Sequence, residues 1–198
     1  MAINFASEEE KNGFWELSNT IQAGNYGEAL NLSKNLLEKF PDNKAIYHNQ
    51  IGAMIYLSKN DYWGATSHYT KALEYGFDAE ACEENIWESA VDSYKFLIDS
   101  EEGFCSLMIK DTHEFIAAND LVQKYESLFP NGKYADEAKE LNYIFNLTKE
   151  LQGNNNYTSS ALKQNYSENY PDGKHGEVMT ALCEIVDRNI NYGLLHFH

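Results

Sequence analysis

All three prolines of the chain sit in the same short phrase, and this limits the fold more tightly than any other feature of the sequence. Phe40-Pro41-Asp42-Asn43-Lys44, Phe129-Pro130-Asn131-Gly132-Lys133 and Tyr170-Pro171-Asp172-Gly173-Lys174 each read aromatic, proline, Asp or Asn, Asn or Gly, lysine. Each phrase closes one amphipathic stretch and precedes another. Proline has no amide with which to continue a helix, and an Asp or Asn after it is expected to accept hydrogen bonds from the amides opening the next helix. The phrase therefore predicts a joint between two helices.

The joints set a register. Ala29 and Ala118 stand twelve residues before Pro41 and Pro130, Ser159 stands twelve before Pro171, and Ala65 stands twelve before Phe77, where a joint occurs without proline. Leu36, Ala72, Tyr125 and Tyr166 stand five residues before the same points. Small residues at one fixed place in successive helices let neighbouring helices approach closely. Between joints the apolar period is helical: from Tyr26, the residues Ala29, Leu30, Ser33, Leu37 and Phe40 follow at offsets of 3, 4, 7, 11 and 14. Ser7-Glu8-Glu9-Glu10 predicts a capping box at the first helix. The expected helices are Ser7–Ala23, Asn25–Phe40, Asp42–Ser58, Asp61–Gly76, Asp78–Ile98, Phe104–Phe129, Tyr134–Gln152, Tyr157–Tyr170 and a closing Lys174–Asn191, with a loop at Gly153–Asn156. No segment reads as an alternating strand.

Gly24-Asn25-Tyr26-Gly27-Glu28-Ala29-Leu30, running on to Phe40-Pro41-Asp42-Asn43, resembles the second helix of a tetratricopeptide repeat. Asn60-Asp61-Tyr62-Trp63-Gly64-Ala65, with Tyr69 and Ala72, repeats the pattern, and Ile51-Gly52 matches the Leu-Gly of that family's first helix. The stretch from Phe129 to Ala138 is similar to joints of bacterial repeat proteins of this type. The resemblance implies an all-α, right-handed superhelix of about four helical hairpins plus a closing helix, forming a single domain over residues 1–198. The small-residue positions are 36, 53 and 41 apart, against about 34 in a regular array. An insertion near 99–112, with a sub-boundary there, accounts for the excess.

Such arrays line a concave face with their first helices. Residue by residue, the resemblance places Phe14, Ser18 and Gln22 there from the first repeat, Asn49, Ala53 and Tyr56 from the second, and Trp87, Val91 and Tyr94 from the third. The aromatics among them either face the groove or pack within the array. Where the family clamps a carboxylate with lysine and asparagine, this chain has Phe14 and Ser18, so a chaperone-tail clamp is not expected.

Thirty-one acidic residues against fifteen basic ones give a formal charge of −16, with Arg188 the single arginine. A polyanion would be repelled, which argues against nucleic acid. The acidity either keeps the chain soluble or captures a basic partner. With no run of eighteen apolar residues and no apolar stretch near the N-terminus, neither a membrane span nor a secretory signal is expected, and the reading is cytoplasmic.

No catalytic, metal or cofactor site is expected. His113-Glu114 lacks the second histidine of a zinc helix, Gly132-Lys133 and Gly173-Lys174 lack the Ser or Thr of a phosphate loop, and Asp99–Gly103 lacks calcium-loop spacing. Cys82, Cys105 and Cys183 form no Cys-x-x-Cys pair, and His196 and His198 read as a frayed tail. The sequence thus points to a non-enzymatic module that binds a protein segment, or alternatively to an acidic inhibitor, such as an immunity protein, that occludes a basic enzyme.

Overall fold

The computed structural model describes residues 4–99, 113–153 and 158–191. Among them the chain is all-helical: α1 Glu8–Gln22, α2 Tyr26–Lys39, α3 Lys44–Lys59, α4 Tyr62–Glu74, α5 Ala79–Asp99, α6 His113–Leu128, α7 Ala135–Gly153, α8 Ser159–Asn169 and α9 Gly176–Asn191, with a 3-10 turn at Pro41–Asn43. The expected boundaries hold to within about two residues wherever both ends are described. Gly153 is the last residue of α7 rather than part of a loop. Cys105, the histidine tail, the rest of the expected loop and all but Asp99 of the expected insertion lie outside the described residues.

The chain divides into two compact units, Met1–Ser89 and Ala90–His198. The division falls inside α5.

In the first unit, α1 packs on α2, α2 on α3 and α3 on α4. Each connection has its own stop. Helices α1 and α4 end in Schellman motifs with glycine at the left-handed position: Gly24 (φ +76°) and Gly76 (φ +84°). Their amides bond to the Ile21 and Leu73 carbonyls, and the next amides, of Asn25 and Phe77, reach back to Thr20 and Ala72. Helix α3 ends on Asn60 in the same conformation, at φ +51°. Asp61 caps α4 by accepting from the Gly64 amide at 2.8 Å.

The three proline phrases do form one kind of turn. In each, the aromatic amide bonds to the carbonyl four residues back at 2.8 Å, and the fourth residue of the phrase donates its amide to the aromatic's carbonyl. One expectation fails here. Asp42, the residue after the proline, accepts no amide opening α3 among the described residues, and Asn43, next to α3, does not cap it either but donates its side-chain amide to Glu10 of α1.

The core follows the register. Ala29, Ala65, Ala118, Leu36, Ala72, Tyr125 and Tyr166 are all buried, and only Ser159, the first residue of its helix, is partly open. Gly52 belongs to the same design. A Cβ there would lie 2.7 Å from the Tyr69 ring and 3.1 Å from the Ala65 carbonyl oxygen, so α3 and α4 touch at backbone distance.

Candidate functional site

On α1, Leu17 is buried while Phe14 and Ser18 are half-buried and Gln22 is exposed. On α3, Tyr47, Ile51, Met54 and Ile55 are buried while Asn49, Ala53 and Tyr56 stay half-buried. Each helix therefore buries one stripe and leaves a second, polar and aromatic, open to contact. Phe14 is steadied by Phe5, with ring centroids 5.4 Å apart, and Tyr56 by an edge-on Tyr62 at 5.7 Å. Asn49 Oδ1 accepts from Asn85 Nδ2 at 3.1 Å, which ties α3 to the start of α5.

The third set of expected residues behaves differently. Trp87, in the first unit, is only 5% exposed. In the second unit Val91 is half-buried, whereas Tyr94 is 2% exposed and donates to Asn119 Oδ1 at 3.3 Å. Trp87 and Tyr94 thus serve the interior and offer no surface to a partner. Large apolar side chains open to solvent occur instead at Trp15, Leu57 and Trp63, none of which the repeat pattern singles out for contact. A cleft of about 530 Å³ between α1 and α2 runs over Gly13 and Leu36 and is rimmed by Glu9, Glu16 and Lys39.

Among the described residues two carboxylates are buried, Glu10, which the sequence offered only as a capping residue, and Glu140, which it did not single out. Glu10 is fully buried. One of its oxygens accepts from Asn43 Nδ2 and the Tyr47 hydroxyl, both at 2.7 Å, and the other accepts from the Ala6 amide at 2.6 Å. Ser7 does cap α1, accepting from the Glu10 amide at 3.1 Å. The expected return bond from Glu10 goes to Ala6 and to the proline joint rather than to Ser7. Burial pushes the Glu10 carboxyl up, but the bonds from Asn43, Ala6 and Tyr47 outweigh it and leave the group below its ordinary value. Burial, reinforced by Glu10, holds the Tyr47 hydroxyl well above the usual phenol range.

Glu140 repeats this arrangement in the second unit. Its Oε1 accepts from the Tyr166 hydroxyl and the His175 amide, both at 2.6 Å, and its Oε2 accepts from the Lys174 amide at 3.0 Å. Glu10 stands 31 residues before Pro41, and Glu140 stands 31 before Pro171. In the first and third phrases the fourth residue follows from this clasp. Asn43 supplies a donor to Glu10, while a Cβ at Gly173 would fall on the Tyr166 hydroxyl and 2.8 Å from Glu140 Oε1. A shared offset of glutamate to proline was the available signal. In the middle phrase the Tyr125 hydroxyl accepts from the Tyr134 amide at 2.9 Å.

No group of three or more metal-ligating side chains comes together among the described residues. No helix among them is long and apolar enough to cross a membrane. Cys82 is buried, and burial first, then Asp78, pushes its thiol up to about 11. It is therefore a small apolar side chain rather than a nucleophile. Comparison with protein-family models, with curated proteins and with solved structures gave no match.

Proposed function

We propose that this chain is a non-enzymatic protein-binding module of the tetratricopeptide type, which holds a protein segment against the first helices of its hairpins. The observation that carries this reading is the open stripe Phe14, Ser18 and Gln22 on α1, matched by Asn49, Ala53 and Tyr56 on α3. Both stripes combine side-chain hydrogen-bonding groups with aromatic faces, the mixture that reads an extended peptide. On α3 the stripe stands away from the buried Tyr47, Ile51 and Ile55.

The test uses Ala53→Arg and the double change Asn49→Ala with Tyr56→Ala. Partners captured by the parent chain from native lysate are identified by mass spectrometry, and their binding is then measured with purified proteins. Both variants should lose the partner; Ala53→Arg should keep the parent's urea midpoint, and the double change, which also removes the Asn49–Asn85 bond, should cost about 0.5–1.5 kcal/mol. Full binding by both, with the fold intact, rules out this face.

A second reading rests on α5. Glu80, Glu84 and Glu88 are exposed at successive four-residue steps, forming an acidic stripe on a chain of charge −16. An acidic inhibitor that covers a basic enzyme would use such a stripe to speed association. Charge reversal at Glu80 and Glu84 should then slow association and flatten its salt dependence, whereas the stripe on α1 and α3 should be nearly indifferent to salt.

A further inference from the structure

The first unit carries a second feature, composed of bases rather than acids. His48 of α3 and His68 of α4 face each other with Nδ1 atoms 2.9 Å apart and ring centroids 5.1 Å apart. The Tyr75 ring packs on His48 at 5.5 Å, and Lys44 Nζ lies 3.9 Å over the face of Tyr75. Lys71 of α4 and Lys34 of α2 are close enough to act on the pair electrostatically. Lys34, Lys44 and Lys71 are all exposed, and among the described residues none has a carboxylate within ion-pair distance. In a chain with 31 acids to 15 bases, three lysines surround two histidines, and the carboxylates nearest in sequence, Glu38 and Glu74, stand one turn along from Lys34 and Lys71 without forming an ion pair with them. Like charges held together this way repel one another until an anion joins them.

The histidine contact adds a proton. One Nδ1 donates and the other accepts, so in the neutral pair one Nε2 carries hydrogen and the other a lone pair. Taking up one proton leaves the Nδ1 bond intact and turns both Nε2 atoms into donors. Neither Nε2 is hydrogen-bonded within the protein among the described residues. Without an anion the extra proton is disfavoured. Burial, then His48, Lys71 and Lys34, push His68 down to about 4, and burial, then Lys71 and Lys44, lower His48. No carboxylate from α2, α3 or α4 acts on either ring to oppose this.

We propose that Lys34, Lys44, Lys71 and the His48–His68 pair form a binding site for a compact phosphate-type dianion, taken up together with one proton. Ammonium groups are point charges suited to phosphate, while the flat fork that favours carboxylates belongs to arginine and is missing from this cluster. The charge of −16 repels an extended polyanion but acts far less on one small dianion seated among local lysines.

Sulfate is the primary probe, because its charge is constant between about pH 5 and about pH 8, so any pH dependence comes from the protein. Imidazole nitrogen signals of His48 and His68 are followed by NMR as sulfate replaces chloride at constant ionic strength. Sulfate should shift both rings, raise their titration midpoint and bind more tightly as pH falls. Lys34→Gln and Lys71→Gln, both at exposed positions that leave packing intact, should each weaken binding roughly two- to fivefold. Inorganic phosphate and a phosphoserine peptide then compete against sulfate. Either result supports the site: tighter competition by the peptide identifies a phosphorylated segment, and competition by phosphate alone identifies the free anion. Sulfate affinity that ignores pH, acetate producing the same shifts, or parent-like binding by both lysine variants would overturn the proposal.

Discussion

Replacing Glu10 tests whether a buried carboxylate, and not only apolar packing, closes the first unit. Glu10→Ala deletes three hydrogen bonds to a charged acceptor and leaves the fully buried Tyr47 hydroxyl without its partner. Bonds to charged groups contribute about 1.5–3 kcal/mol each, and a buried donor left alone costs about 1–3 kcal/mol. Asn43 and Ala6 are open enough to recover water, which recoups part of the loss. The expected cost is about 3–5 kcal/mol. Glu10→Gln keeps one oxygen for Asn43 and Tyr47 but turns an amide toward the Ala6 N–H, for about 1–2 kcal/mol. All three tryptophans, Trp15, Trp63 and Trp87, belong to this unit, so their fluorescence follows its unfolding in urea. The alanine variant should lower the midpoint by roughly 2 M and the glutamine variant by well under half of that. The sign with pH is also fixed. A carboxyl held below its unfolded value contributes stability above the unfolded pKa and loses it as pH falls through the folded one. Glu10→Gln should therefore flatten the acid limb of the stability curve. If Glu10→Ala unfolds within about 1 kcal/mol of the parent, the clasp is not what holds α1 to the joint.

Glu140→Ala should cost a similar amount, about 3–5 kcal/mol, in the second unit, seen by far-UV circular dichroism, with Glu140→Gln again milder. Gly52→Ala should cost about 1–3 kcal/mol, since its Cβ meets the Tyr69 ring and the Ala65 backbone, which cannot both retreat. Gly13→Ala should cost less, because the atom it meets, at 2.7 Å, is the flexible end of Leu36; urea titrations of the two variants check the contrast. His68, lowered from 6.5 to about 4, favours the folded state above the unfolded histidine pKa. That stability drains away as pH falls from about 6.5 toward about 4, by up to about 2 kcal/mol once solvent screening is allowed for. His68→Asn should remove this slope between about pH 7 and about pH 5 in chloride.

Much of the local design is written in the chain itself. The proline phrases and the cap at Ser7 act over four or five residues, a range that sequence spacing reports directly, whereas Gly76, expected inside a helix, ends it in the left-handed conformation. The small-residue register at Ala29, Ala65 and Ala118 was equally legible, because a helical period carries burial along one face. Tertiary structure decided what those faces meet. Glu10 reads as an ordinary capping residue until Asn43 and Tyr47 are folded onto it, 33 and 37 residues away. Trp87 and Tyr94 share the spacing of an open stripe yet lie inside, because spacing gives a residue's face but not its neighbour. His48 and His68 carry no shared motif, and only the packing of α3 against α4 brings their nitrogens to 2.9 Å. A sequence records which residues share a helix face, whereas buried charges and paired imidazoles depend on contacts between helices, which no local spacing encodes.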